Sequence, residues 1–113
     1  MASLTGTLGP SAFLETMGQS PTTKLLDFLV VFDEFDHSMA DIAEHADVGY
    51  STLKLLLPEL ERRNIVMKTR TSGRSAMYTL NRQNPAVRRF AEFYWDLARH
   101  SAPQQRKKKA IVH

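Results

Sequence analysis

Fourteen of the fifteen lysines and arginines in this 113-residue sequence lie at or after Lys54, where only four acids accompany them: Glu59, Glu61, Glu92 and Asp96. Before Lys54 the one cation is Lys24, set against eight acids, Glu15, Asp27, Asp33, Glu34, Asp36, Asp41, Glu44 and Asp47. A net charge of −7 followed by +10 is the electrostatic footprint of a face that attracts a polyanion. A merely solvated basic surface is the bland account. The change of sign falls where an amphipathic helix begins, which favours the binding face.

Other chemistry is poorly supplied. There is no Gly-rich phosphate loop, no nucleophile motif and no recognisable pair of carboxylates, so no enzymatic activity is expected. With no cysteine there is no disulfide, thiolate nucleophile or thiolate metal ligand. Asp41, Glu44 and His45 fall on one helix and raise a metal question. A solvated helix face explains them better, because a metal needs its oxygen and nitrogen ligands to converge. No cofactor or metal is expected.

Residues 39–66, MADIAEHADVGYSTLKLLLPELERRNIV, must position the basic face. Met39, Ile42, Ala43 and Ala46 recur at three- and four-residue spacing, which predicts a helix from Met39 to Ala46 with Ser38 as N-cap. Asp47-Val48-Gly49 reads as a tight turn, with Gly49 supplying backbone freedom and Val48 dropping between two helices. A second helix from Tyr50 to about Arg63 buries Leu53, Leu56, Leu57 and Leu60. Tyr50, Ser51, Lys54, Leu55, Pro58 and Arg62 are left pointing outward. Pro58 removes a backbone donor and crowds the Lys54 carbonyl, so a kink is possible, but the leucine stripe continues across it.

This stretch resembles the helix-turn-helix of winged-helix transcription regulators, the MarR-like and ArsR-like group. Ile42-Ala43 and Ala46 match the first helix, Val48 the turn hydrophobe, Ser51-Thr52-Leu53 the polar-Thr-apolar start of the recognition helix, and Leu57 and Leu60 its later core. Gly49 departs from the serine more common in the group, which would cap the helix and touch a phosphate. The resemblance implies sequence-specific binding of double-stranded DNA by a homodimer that regulates transcription, with residues 50–63 in the major groove. Tyr50, Ser51, Lys54 and Leu55 would then face base edges, and Thr52 a phosphate or the core. Arg62 would sit beside them on the outward face. Arg70 and Arg74, with Lys68 beside them, would carry a wing over residues 70–75 to the backbone or minor groove.

The flanking segments fit that scheme. Residues 1–10 show no periodicity, and Ser11 to Met17 predict a short helix that must pack on the body or, as favoured here, on a second subunit. Ser20-Pro21 starts a helix reaching about Glu34, with Leu25, Phe28, Leu29 and Phe32 inward and Asp27, Asp33 and Glu34 at the back, away from DNA. Asn64 replaces the usual glycine at a left-handed helix end. IVMKTR, TSGR and SAMYTL read as two strands and a turn, with Ala76, Tyr78 and Leu80 on one face and Gly73 in the turn. Asn84-Pro85 starts a last helix ending near His100. Its Val87, Phe90, Tyr94 and Leu97, with Phe93 and Trp95 beside the stripe, offer more apolar area than a small domain covers. Together with Phe13 and Leu14 they form the expected dimer interface. The tail with Lys107, Lys108 and Lys109 reads as disordered, adding sequence-blind attraction or only solubility.

The expected architecture is mainly α with a small β-hairpin: an arm over 1–19, a winged helix-turn-helix over 20–82, a dimerisation helix over 84–100 and a basic tail over 101–113. No apolar run approaches a membrane span and no signal peptide is recognisable, so a cytoplasmic setting is expected. The Ser-Pro-led helix, Pro58 and the Tyr78-Leu80-Asn81 exit from the wing look most like archaeal or bacterial regulators. Two other functions stay open: a winged helix that contacts proteins through its aromatic C-terminal helix, and a ligand or metal sensor with a pocket between that helix and the core.

Overall fold

Serine starts three of the helices. Ser11 Oγ accepts from the Leu14 amide, Ser20 Oγ from Thr23 and Ser38 Oγ from Asp41, each at 3.1 Å. Each hydroxyl satisfies one of the amides that a helix start leaves unpaired. Thr23 reciprocates, its Oγ1 accepting from the Ser20 amide at 2.9 Å, so a threonine completes the capping box. The elements in order are α1 (Ala12–Met17), α2 (Pro21–Val31), β1 (His37–Ser38), α3 (Met39–Ala46), α4 (Tyr50–Arg62), β2 (Val66–Ser72), β3 (Ser75–Leu80) and α5 (Pro85–Ile111). The computed structural model describes residues 10–111, with side chains from 10 to 101. The expectations for residues 1–9 and for the side chains of Lys107, Lys108 and Lys109 lie outside the described residues.

Leu25 and Leu29 of α2, Ile42 of α3, Leu53 and Leu57 of α4 and Leu80 of β3 form the fully buried centre. Burying each such side chain stabilises the fold by about 1.5–3 kcal/mol before entropy is counted. The wing closes the core from one side. β2 and β3 pair antiparallel from Val66↔Leu80 at the buried base to Ser72↔Ser75 at the tip. Gly73 and Arg74 make a two-residue turn in which only Gly73 has a positive φ, 63°. That suits a turn with glycine at its first central position.

The chain departs from the sequence expectations in several places. A third strand, β1, pairs with the other edge of β3 through His37↔Tyr78 and Ser38↔Met77, giving the order β1-β3-β2. In the helix-turn-helix turn the left-handed residue is Asp47, φ 60° and ψ 48°, whereas Gly49 has an ordinary φ of −60°. Glycine is therefore not required at 49, and a Cβ there would meet only Thr52 Oγ1 at an unstrained 3.7 Å. Lys24 Nζ reaches both the Asp47 carbonyl and its carboxylate at 3.3 Å, placing a cation at the C-terminal end of α3. Asn64 takes the expected left-handed conformation, φ 64°. The last helix does not stop near His100 but is assigned through Ile111. The helix continues past Pro103, which gives up one backbone donor, and the straight-chain residues of QQRKKKA beyond it favour the helical state.

Two corrections concern α1 and α2. Phe13 and Leu14 are buried inside their own chain, not on a second subunit. Phe13 packs edge-on to Phe90 with ring centroids 5.4 Å apart and tilted on Tyr94 at the same distance. Asp27 is not on the back surface: it is 5% exposed, and both Ser11 Oγ and Tyr94 OH donate to its Oδ1 at 2.6 Å. One buried carboxyl thus ties α1, α2 and α5 together. Burial, reinforced by the Asp27 carboxyl, pushes the Tyr94 phenol above its ordinary value of 10.0.

Candidate nucleic-acid interface

The buried stripe of α4 decides what its other side presents. Leu53 and Leu57 are fully buried and Leu56 and Leu60 half-buried, so Ser51, Lys54, Leu55, Pro58 and Arg62 fall on the outward side. Leu55 is 78% exposed, the most exposed large apolar side chain among the described residues. Tyr50 is exposed and Thr52 half-buried. Pro58 does not break the helix, which is continuous from Tyr50 to Arg62. Its ring lies on the solvent side, where the loss of one amide donor to the Lys54 carbonyl is tolerated because water can replace it.

The cations sort by partner. Glu59 Oε2 accepts from Arg62 at 2.5 Å and from Arg63 at 2.7 Å, and these bonds, Arg63 first, hold its carboxyl below the ordinary range. Arg82 pairs with Asp33. Arg70 forks onto Asp36, Nε to Oδ2 at 2.9 Å and Nη2 to Oδ1 at 3.2 Å. Thr69 Oγ1 donates to the same Oδ2 at 2.5 Å. The Arg70 guanidinium, then the Thr69 hydroxyl, hold the Asp36 carboxyl down at about 2, and the carboxylate raises Arg70 in return. Among the described residues Lys54, Lys68, Arg74 and Arg89 have no carboxylate partner, and Arg88 donates only to the Arg82 carbonyl, at 2.6 Å. The sequence-predicted cations therefore divide: Lys54, Lys68 and Arg74 are exposed and unpaired, while Arg62 and Arg70 are held by acids of their own chain.

Sequence reasoning missed Asp36 and Thr69. A β-bulge between Lys68 and Arg70 leaves Thr69 as the extra residue, since Lys68 faces Tyr78 and Arg70 faces Met77. Neighbouring residues of a regular strand point to opposite faces, and the bulge breaks that alternation so that both side chains reach one carboxylate.

The expected dimer surface is only partly available. Val87 and Tyr94 are buried within the chain, as are Phe13 and Leu14, because α1 lies on this face of α5. Phe90 and Leu97 are half-buried, while Phe93 is 45% and Trp95 39% exposed. At about 100° per residue, Phe93 and Trp95 flank the buried stripe on opposite sides, roughly 160° apart, so one flat partner cannot cover both. Trp95 already stacks edge-on against Tyr94, centroids 4.9 Å apart.

The described residues contain no cluster of three or more His, Cys, Asp or Glu able to hold a metal ion. His45 instead stacks on Phe28, with ring centroids 6.3 Å apart and 11° between planes. No described helix is long and apolar enough to cross a membrane.

No protein-family model matches the chain, and no curated protein is similar to it in sequence. Solved structures are similar in fold. A mutant of ZitR from Lactococcus lactis in apo form matches with a TM-score of 0.62 at 17% identity, over 99% of this chain and 91% of that one. Wild-type ZitR in complex with DNA matches with a TM-score of 0.55 at 14% identity, over 75% of this chain, which spans 60% of the length of ZitR there. The adhesin competence repressor AdcR from Streptococcus pyogenes matches with a TM-score of 0.59 at 12% identity, over 84% and 72% of the two chains. The fold of this chain is a winged helix-turn-helix, mainly α with a small antiparallel sheet.

Proposed function

We propose that the protein is a sequence-specific binder of double-stranded DNA that regulates transcription as a homodimer. The observation that carries this reading is the outward side of α4, where Lys54 lies unpaired between Ser51 and Leu55 on an unbroken helix. A helix of this width fits the major groove, where Lys54 would donate to guanine, Ser51 or Tyr50 would bond to a base or phosphate, and Leu55 would meet a thymine methyl. Arg74 at the wing tip and Lys68 on its shaft would take phosphates or the minor-groove edge. A fold neighbour, ZitR, is found in complex with DNA, which supports the same use of this fold.

One short helix reads too few base pairs for useful specificity, and two-fold pairing sets two such helices about 34 Å apart on a palindromic site. The half-buried Phe90 and Leu97 with exposed Phe93 form the flank of α5 best suited to that pairing. Gel filtration at micromolar concentration should report twice the chain mass; a single-chain mass contradicts the dimer. Selection of bound sequences from a random duplex pool tests the reading as a whole. Enrichment of a symmetric site with half-sites one turn apart is expected, and a selected pool indistinguishable from the starting pool would sink the reading. The exposed aromatics of α5 equally favour a protein-contact module; on that reading Lys54→Glu and Arg74→Glu leave function intact.

A further inference from the structure

The wing carries a cation that is paired within its own chain, although its side chain stays 61% exposed. Arg70 lies on the exposed part of β2, yet its guanidinium is held by two bonds to Asp36, a residue 34 positions earlier in the chain. Thr69, the extra residue of the bulge, places a third donor on the same carboxylate. Without the bulge one of these side chains would point to the opposite face, so the local irregularity and the triple contact arise together. A planar fork on a carboxylate restricts orientation as well as distance.

Asp36 is itself fixed to the body of the domain. It immediately precedes β1, whose His37 and Ser38 pair with Tyr78 and Met77 of β3. His37 Nε2 lies 3.0 Å from the Phe32 carbonyl, which only accepts, so that nitrogen carries the proton. The His37 ring also packs edge-on against buried Phe28, centroids 4.8 Å apart. The acid therefore ties the wing shaft to the end of α2, not to another part of the wing. A seven-residue strand reaches about 23 Å from its buried base, so a tilt of roughly 10° would displace the tip by about 4 Å.

We propose that Asp36 is a positioning residue for duplex binding: it holds Arg70 off the nucleic acid and fixes the angle of the wing, leaving the wing's phosphate contacts to Arg74 and Lys68. This rests on the DNA-binding reading above and deepens it. The design trades one available cation for a defined wing, lowering sequence-blind attraction relative to site-specific contact.

The test uses the full chain with Asp36→Asn, Arg70→Met, the double variant and Arg74→Ala, each first checked for wild-type far-UV circular dichroism. Affinity for a labelled random duplex is measured over rising potassium chloride. Each phosphate-neutralising cation contributes about 0.9 to the slope of log affinity against log salt. Arg70→Met should leave the slope unchanged, and Arg74→Ala should lower it by about 0.9. Asp36→Asn should steepen it by about 0.9 through the released Arg70, and the double variant should return it to the wild-type value. A merely structural Asp36 would give no such gain and no such reversal. The proposal is overturned if Arg70→Met lowers the slope or if Asp36→Asn leaves it unchanged. A wild-type protein that binds no duplex at any salt overturns the DNA-binding reading itself. The two failures are told apart by the wild-type curve alone.

Discussion

Replacing Tyr94 by Phe isolates the buried contact that the sequence hid. The substitution removes one hydroxyl and keeps the ring, so the packing of Tyr94 on Phe13, Phe90 and Trp95 is retained. What is lost is the 2.6 Å bond to Asp27 Oδ1, leaving Ser11 as the remaining donor to that oxygen. A hydrogen bond to a charged group contributes about 1.5–3 kcal/mol, and the surviving Ser11 bond places the loss near 2 kcal/mol. For a domain of this size that lowers the melting temperature by roughly 8 °C. Urea denaturation followed by circular dichroism, at one fixed protein concentration, should show a lower midpoint at unchanged m-value. In an Asp27→Leu background the same Tyr94→Phe change should cost much less, because both polar partners are then gone. A Tyr94→Phe midpoint within about 0.5 kcal/mol of wild type would refute the claim that this bond joins α5 to α2.

Three further outcomes follow from the same geometry. Pro58→Ala restores an amide donor to the Lys54 carbonyl at an exposed site, and should stabilise the protein by about 1–3 kcal/mol in the same urea assay; no gain would mean that the helix pays nothing for its proline. The Asp36 carboxyl is depressed in the folded state, so its share of stability is fully present above the ordinary value of 3.8 and lost as pH falls toward about 2. Its carboxyl carbon, followed by NMR, should titrate near 2 in the wild type and move back toward 3.8 in Arg70→Met; an unmoved midpoint contradicts the ion pair. Phe93→Glu should convert a dimer to a monomer in gel filtration without loss of helicity, and a persistent dimer would assign pairing to another surface.

How far the sequence could be read depended on whether a feature is local. The helices α3 and α4 were legible because their stripes, the Ser38 cap and the left-handed Asn64 act within a few residues of chain. The hairpin was legible from alternation and Gly73. Asp27 was not: it reads as one polar position beside Leu26 and Phe28, and the Tyr94 hydroxyl that makes its burial tolerable lies 67 positions away. β1 has two residues and no periodicity, and exists because β3 offers it an edge. Apolar spacing marked Phe13 and Leu14 as buried, but spacing does not say in which subunit. For the interface, exposure of Lys54 and Arg74 followed from pattern, whereas the occupation of Arg70 depended on a bulge visible only in the register.

On the proposed function, the outward side of α4 and the wing tip meet a duplex. Titration of a labelled duplex over rising salt, comparing wild type with Lys54→Glu/Arg74→Glu, tests it most directly. Binding at low salt with a steep slope is expected, with the double variant weaker, its slope lower by about 0.9 through the lost Arg74 phosphate contact, and its circular dichroism unchanged. Equal affinity and equal slope for the two proteins would contradict it.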